Sequence, residues 1–152
     1  MYYVNEEQIE ARLRFLPTVT KALRDLAAGA KAGAEGGGAE AGLLTAFAEE
    51  RALHLAIEAV TDVGSFLIDG FMMRDASSYE DIVDVLRTEG VLPEETADGL
   101  KALVGLRRSL TQDYMDLPRN GLRDDLEGTA ELLERFAPLV TAFIRKELQP
   151  FA

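Results

Sequence analysis

A chain of 152 residues with 47% hydrophobic and 7% aromatic content, rich in Ala and Leu, has the length of one domain and the composition of a helical one. Its 16 basic and 27 acidic residues leave a net charge of −11, which excludes general coating of nucleic acid and confines any RNA contact to a local patch. The absence of cysteine excludes disulfides, thiolate metal sites and cysteine nucleophiles.

The opening Met1-Tyr2-Tyr3-Val4 lacks a basic region followed by an apolar one, and no later stretch approaches the ~18 uncharged apolar residues of a membrane span, so a cytoplasmic protein is expected. Asn5 with Gln8 forms a capping-box pattern. Ile9, Leu13, Leu16, Val19, Leu23 and Leu26 then recur at helical spacing, which predicts a first helix from about Glu6 to Ala28. From residue 29 to 42 the composition collapses to Gly, Ala, Lys and Glu, too little apolar surface to offset the entropy of ordering, and a flexible loop is predicted there.

A second helix is predicted from about Leu43 to Phe71, its core stripe formed by Ala46, Leu53, Ala56, Ile57, Val60, Val63, Leu67 and Phe71. Ser77 with Glu80 reads as a capping box that starts a short helix ending at Gly90, and Pro93 reads as the first position of a helix from Glu94 to Met115. Pro118, Asn120 and Gly121 break that helix. The last, Leu122 to Leu148, should kink at Pro138, which removes one backbone bond. The expected fold class is all-α: one domain spanning 1–152, an antiparallel four-helix bundle with one additional short helix.

On the fourth predicted helix Leu100, Leu103, Val104 and Leu110 share one side, and Arg107 falls inside their stripe with Tyr114 on the same side. A guanidinium in an apolar seam is costly unless a carboxylate, phosphate or carbonyl meets it. Arg107 therefore marks either a buried ion pair or a functional cation. The single histidine, His54, sits at the edge of the second helix's apolar face, beside a polar track of Glu58, Thr61, Asp62, Ser65 and Asp69 that is either a solvated face or part of a site. Glu50 precedes His54 by four residues rather than the three of a di-iron helix motif, and neither a phosphate-cradling glycine loop nor a serine elbow is present, so no metal and no cofactor are expected.

The run Arg107-Arg108-Ser109-Leu110-Thr111-Gln112-Asp113-Tyr114 resembles the signature of the HEPN superfamily: an arginine, four to six spacers, a histidine, any residue, a tyrosine. Gln112 stands at the histidine position. The passages from Leu53 to Gly64, Ser77 to Ile82 and Leu86 to Leu92 resemble the HepT-like branch in the same order, and Met1-Tyr2-Tyr3-Val4 with Asp69-Gly70-Phe71-Met72-Met73-Arg74-Asp75 resembles its YutE-like subgroup. The resemblance implies a HEPN-like bundle, a homodimer with facing motif helices, and a metal-independent endoribonuclease, in some members the toxin of a toxin–antitoxin pair whose nucleotidyltransferase antitoxin adds AMP to the motif tyrosine. On it, Arg107, Gln112 and Tyr114 take the catalytic positions, Arg107 and Arg108 bind RNA phosphate, and Tyr114 is the candidate for modification or else an interface aromatic.

RNA cleavage at the 2′-hydroxyl needs proton transfer and a cation for the growing negative charge. Gln112 orients a phosphate or a hydroxyl without shuttling a proton, so the substitution should lower the rate by ~10²–10⁴. His54 and Asp62 are the supporting residues that a neighbouring helix would bring to the motif to replace the lost proton carrier. The alternative function is a non-catalytic homodimeric HEPN module that binds RNA, a nucleotide or a protein partner through the same residues.

Overall fold

The computed structural model describes residues 2–33, 39–119, 122–123 and 125–149. Among them it is all-helical: α1 (Glu6–Gly33), α2 (Ala39–Gly70), α3 (Tyr79–Thr88), α4 (Glu94–Val104), α5 (Arg107–Thr111), a single 3-10 turn at Tyr114–Asp116, and α6 (Leu126–Leu148). The long elements close into an antiparallel four-helix bundle in which α1 packs on α2 and α6 while α4 packs on the same two helices, and α3 lies across α2 and α4 as the additional short helix.

The apolar stripes expected from the sequence form the core. Leu23 of α1, Leu53, Ile57 and Leu67 of α2, Leu86 of α3, Leu100 and Leu103 of α4, and Leu133 and Phe136 of α6 are completely buried, each adding roughly 1.5–3 kcal/mol of transfer free energy. No buried side-chain polar atom among the described residues lacks a hydrogen-bond partner. Glu49 is buried on α2 because its Oε1 accepts from the backbone N–H groups of Leu122 and Arg123, at 2.9 and 3.1 Å, tying the segment before α6 to the start of α2.

Several local boundaries differ from the sequence expectation. The helix from Glu6 continues past Ala28 to Gly33, and α2 begins at Ala39, because alanine is a strong enough helix former to carry both ends into the Gly/Ala-rich segment. Of the loop predicted for 29–42, residues 34–38 lie outside the described residues, as do Asn120 and Gly121 of the predicted breaker. The cap of α3 is one residue later than the Ser77–Glu80 pattern: Ser78 Oγ accepts from Asp81 N–H at 3.0 Å, and the Asp81 carboxylate accepts from Ser77 N–H at 2.9 Å. Pro93 is the residue before α4 rather than its first, in extended conformation. The last helix starts at Leu126, where Asp125 caps it through Gly128 N–H at 2.8 Å, not at Leu122, and it continues through Pro138.

The largest difference is the fourth helix, predicted unbroken from Glu94 to Met115. It divides at Gly105 and Leu106, both still in the right-handed helical region, because the Leu106 N–H closes on Leu103 O three residues back rather than four. Arg107, one-quarter exposed where Leu100, Leu103 and Val104 are completely buried, heads its own short helix, α5, packed against α2.

A candidate phosphate-binding centre at the head of α5

Arg107 is one-quarter exposed, and its environment answers the question its sequence position raises. Its Nε donates to Glu58 Oε1 at 3.3 Å, and the central carbon of its guanidinium lies over the Tyr79 ring, 3.7 Å from the centroid. The same Glu58 oxygen is 3.3 Å from His54 Nε2, one helical turn back on α2, and His54 Nδ1 is 3.3 Å from Arg51 Nη1. Arginine has no lone pair to offer, so the Arg51 contact assigns Nδ1 as acceptor and leaves the ring N–H on Nε2, the nitrogen nearer Glu58. One row of side chains, Arg51, His54, Glu58 and Arg107, thus runs from α2 to α5 and holds the motif arginine in place. The remaining N–H groups of Arg107 have no protein acceptor among the described residues.

The other predicted residues are distributed differently. Arg108 is exposed and 3.9 Å from Asp113, a weak surface pair. Gln112 closes α5 with its N–H on Arg108 O at 2.8 Å; its side chain is exposed and not hydrogen-bonded to Arg107. Asp62 is not in the row, because its carboxylate accepts from Arg12 Nε of α1 at 3.1 Å. Tyr114 is 53% exposed in the 3-10 turn. Arg119 anchors that turn by donating to Tyr114 O at 2.7 Å while pairing with Glu50 at 3.2 Å and lying over the Phe47 ring. Met115, Leu44, Phe47 and Leu43 are exposed nearby in sequence or through Arg119.

Arg51 and Tyr79 are the two residues at this centre that sequence reasoning did not single out, and Glu58 it named only as part of a polar track. Glu58 left a trace as the i+4 neighbour of His54; Tyr79, brought in from another helix, left none. Among the described residues no group of three or more His, Asp or Glu side chains is arranged to hold a metal, and no helix is long and apolar enough to cross a membrane.

An antiparallel bundle with a fixed arginine heading a short helix directly after α4 is the arrangement of a HEPN-type protein. Structures of that type share the fold: a tri-AMPylated HEPN toxin of Shewanella oneidensis in complex with an MNT antitoxin has a TM-score of 0.74 at 17% identity, covering 89% of this chain and 97% of that one. The YutE structure from Bacillus subtilis, described as a cytosolic protein of unknown function, has a TM-score of 0.80 at 30% identity and covers 100% of this chain and 99% of its own. In sequence, the putative RNase YutE of Bacillus subtilis strain 168 is 37% identical over 101 residues, 66% of this chain and 70% of that protein. The family "Ribonuclease HepT-like" matches residues 21–140. The chain belongs to the HepT-like ribonuclease family.

Proposed function

We propose that this protein is a weak, metal-independent endoribonuclease of the HepT type, working as a homodimer. The observation that carries the reading is the posture of Arg107: fixed at its Nε by Glu58 and on its face by Tyr79, it keeps its outer N–H groups for an RNA phosphate. A guanidinium held in advance stabilises the charge that develops as the 2′-oxygen attacks phosphorus and the bond to the 5′-oxygen breaks, water taking the 2′-hydroxyl proton and supplying one to the leaving oxygen, which leaves a 2′,3′-cyclic phosphate and a 5′-hydroxyl. Gln112 donates a hydrogen bond to the substrate and moves no proton, and His54 lies between Arg51 and Glu58, so its part is to hold Glu58. Turnover is therefore slow. Arg108 adds a phosphate contact at the rim.

The exposed apolar side chains Leu43, Leu44, Phe47 and Met115, with Tyr114, support a second copy of the chain as the group that covers this face and brings two Arg107 residues towards one RNA. A nucleotidyltransferase is the proposed heterologous partner, with the accessible Tyr114 hydroxyl as the AMP acceptor. The AMPylated toxin–antitoxin neighbour supports this as a fold-level analogy.

The test is cleavage of a mixed-sequence RNA in EDTA by the purified protein, Arg107→Ala and Gln112→His. Slow cleavage with cyclic phosphate ends, abolished by Arg107→Ala and raised by roughly 10²–10⁴ in Gln112→His, is expected. A second reading, a non-catalytic HEPN dimer that binds RNA or nucleotide, is favoured by Gln112 itself, and silence of the native protein would select it. Light scattering at micromolar concentration tests the dimer, which Leu44→Asp should dissociate.

A further inference from the structure

We infer that the cleft beside Tyr79, the same residue that supports Arg107, is a nucleobase subsite that selects guanine. The cleft has a volume of about 600 Å³ and lies between the C-terminal part of α2 and the segment leading into α3. Ile68, Ala76 and Ile82 form its apolar part, Tyr79 a wall, and Asp69 and Asp75 its carboxylates. Tyr79 lines the cleft and carries the Arg107 guanidinium at 3.7 Å, so a nucleotide whose phosphate meets Arg107 has its base within reach of the cleft. The inference rests on Arg107 as the phosphate anchor.

The acceptors of the cleft decide which base fits. Neither the Asp69 nor the Asp75 carboxylate takes part in an ion pair or hydrogen bond among the described residues, whereas Arg74 and Lys101 are already committed to other acids. Arg74 donates to both carboxylate oxygens of Asp81 at 2.7 and 2.9 Å, and Lys101 pairs with Asp84 at 2.8 Å. Guanine offers two adjacent donors, N1–H and the N2 amino group, the arrangement a carboxylate accepts with both oxygens. Uracil flanks its one donor with two carbonyl oxygens, which a carboxylate repels. Single-stranded RNA is read in this way, by an aromatic surface together with hydrogen bonds to the base edge. The negative cleft also keeps phosphate out, so only the base enters it.

The wall is built in advance. Asp81 takes Arg74 on both oxygens and also accepts from the N–H and Oγ of Ser77, while Ser78 caps α3, so residues 74–81 are clamped in the shape that forms the cleft. A rigid wall lowers the ordering cost of binding.

The experiment is an NMR titration of the full-length ¹⁵N-labelled protein with guanosine, guanosine 5′-monophosphate and uridine 5′-monophosphate. Guanosine and its monophosphate should shift the amides of Ser65, Asp69, Ser77 and Tyr79, with the uridine nucleotide at least about tenfold weaker, the loss expected for one or two charge-assisted hydrogen bonds. The exposed pair Asp69→Asn/Asp75→Asn should remove that preference while the spectrum stays folded. Equal affinity for both nucleotides, or no shift with guanosine at saturating concentration, overturns the subsite. Arg107→Ala separates the two readings: it should weaken the monophosphate to the level of guanosine, and if it changes neither ligand the phosphate anchor fails while the base subsite stands.

Discussion

Glu58→Gln perturbs the centre at its middle. The substitution keeps shape and one carbonyl oxygen, and it removes the charge that Arg107 meets at 3.3 Å. At that separation two unit charges attract by about 1.3 kcal/mol in bulk water and about 5 kcal/mol at an effective dielectric of ~20. The side chains of Arg107 and Glu58 are 25% and 37% exposed, so screening and the ordering of both side chains reduce the net value to about 1 kcal/mol. With a urea slope of about 2 kcal/mol per molar, the unfolding midpoint should fall by about 0.5 M. Affinity for a short single-stranded RNA should move the other way, tightening about threefold to tenfold with a steeper salt dependence, because the amide oxygen can still hold Nε while the carboxylate's repulsion of an incoming phosphate is gone. A double-mutant cycle with Arg107→Ala isolates the pair. A coupling within about 0.3 kcal/mol of zero, or RNA binding that weakens in Glu58→Gln, would refute the reasoning.

Two further substitutions test the frame around the centre. Asp81 is held well below its ordinary 3.8 by the Arg74 guanidinium first and the Ser77 N–H second. Its folded value lies below its unfolded one, so its stabilisation is complete above 3.8 and fades as pH falls below it; Asp81→Asn should lower the urea midpoint at pH 7, and the gap from the native protein should close in acid. Gly64 lets α3 approach α2 closely: a Cβ there would overlap Ile82 Cγ2 and sit 3.5 Å from Leu86 Cδ1, both side chains buried. Gly64→Ala should cost about 1–3 kcal/mol by chemical denaturation, and less in an Ile82→Ala background, where the overlapping methyl is gone.

The bundle was legible because its information is periodic. Leu53, Ile57, Val60 and Leu67 repeat at the spacing of one helix face, and all four are completely buried. Capping was legible to within a residue: Asn5 accepts from Gln8 N–H at 3.2 Å as its pattern required, whereas two adjacent serines ahead of α3 allowed two registers and the sequence pattern took the wrong one. The break at Gly105 was not legible. Glycine there takes an ordinary helical conformation, and the change is one backbone closure shorter by a residue, which leaves no compositional mark. The centre was legible in part: an arginine in an apolar stripe called for a carboxylate, and Glu58 on the neighbouring α2 is one.

The arginine's role depends on three elements at once. Arg107 of α5 meets Glu58 on α2 and Tyr79 on α3, and α3 is close enough to supply that ring because Gly64 has no side chain. A perturbation at Gly64 should therefore reach Arg107 through the displacement of α3 without touching the motif itself. Gly64→Ala is expected to weaken RNA binding as well as stability, whereas an equally destabilising cavity remote from α3, such as Phe136→Ala on α6, should lower stability alone. If the two variants, matched in folded fraction, bind RNA equally, then Tyr79 does not hold the guanidinium and Glu58 positions it without help.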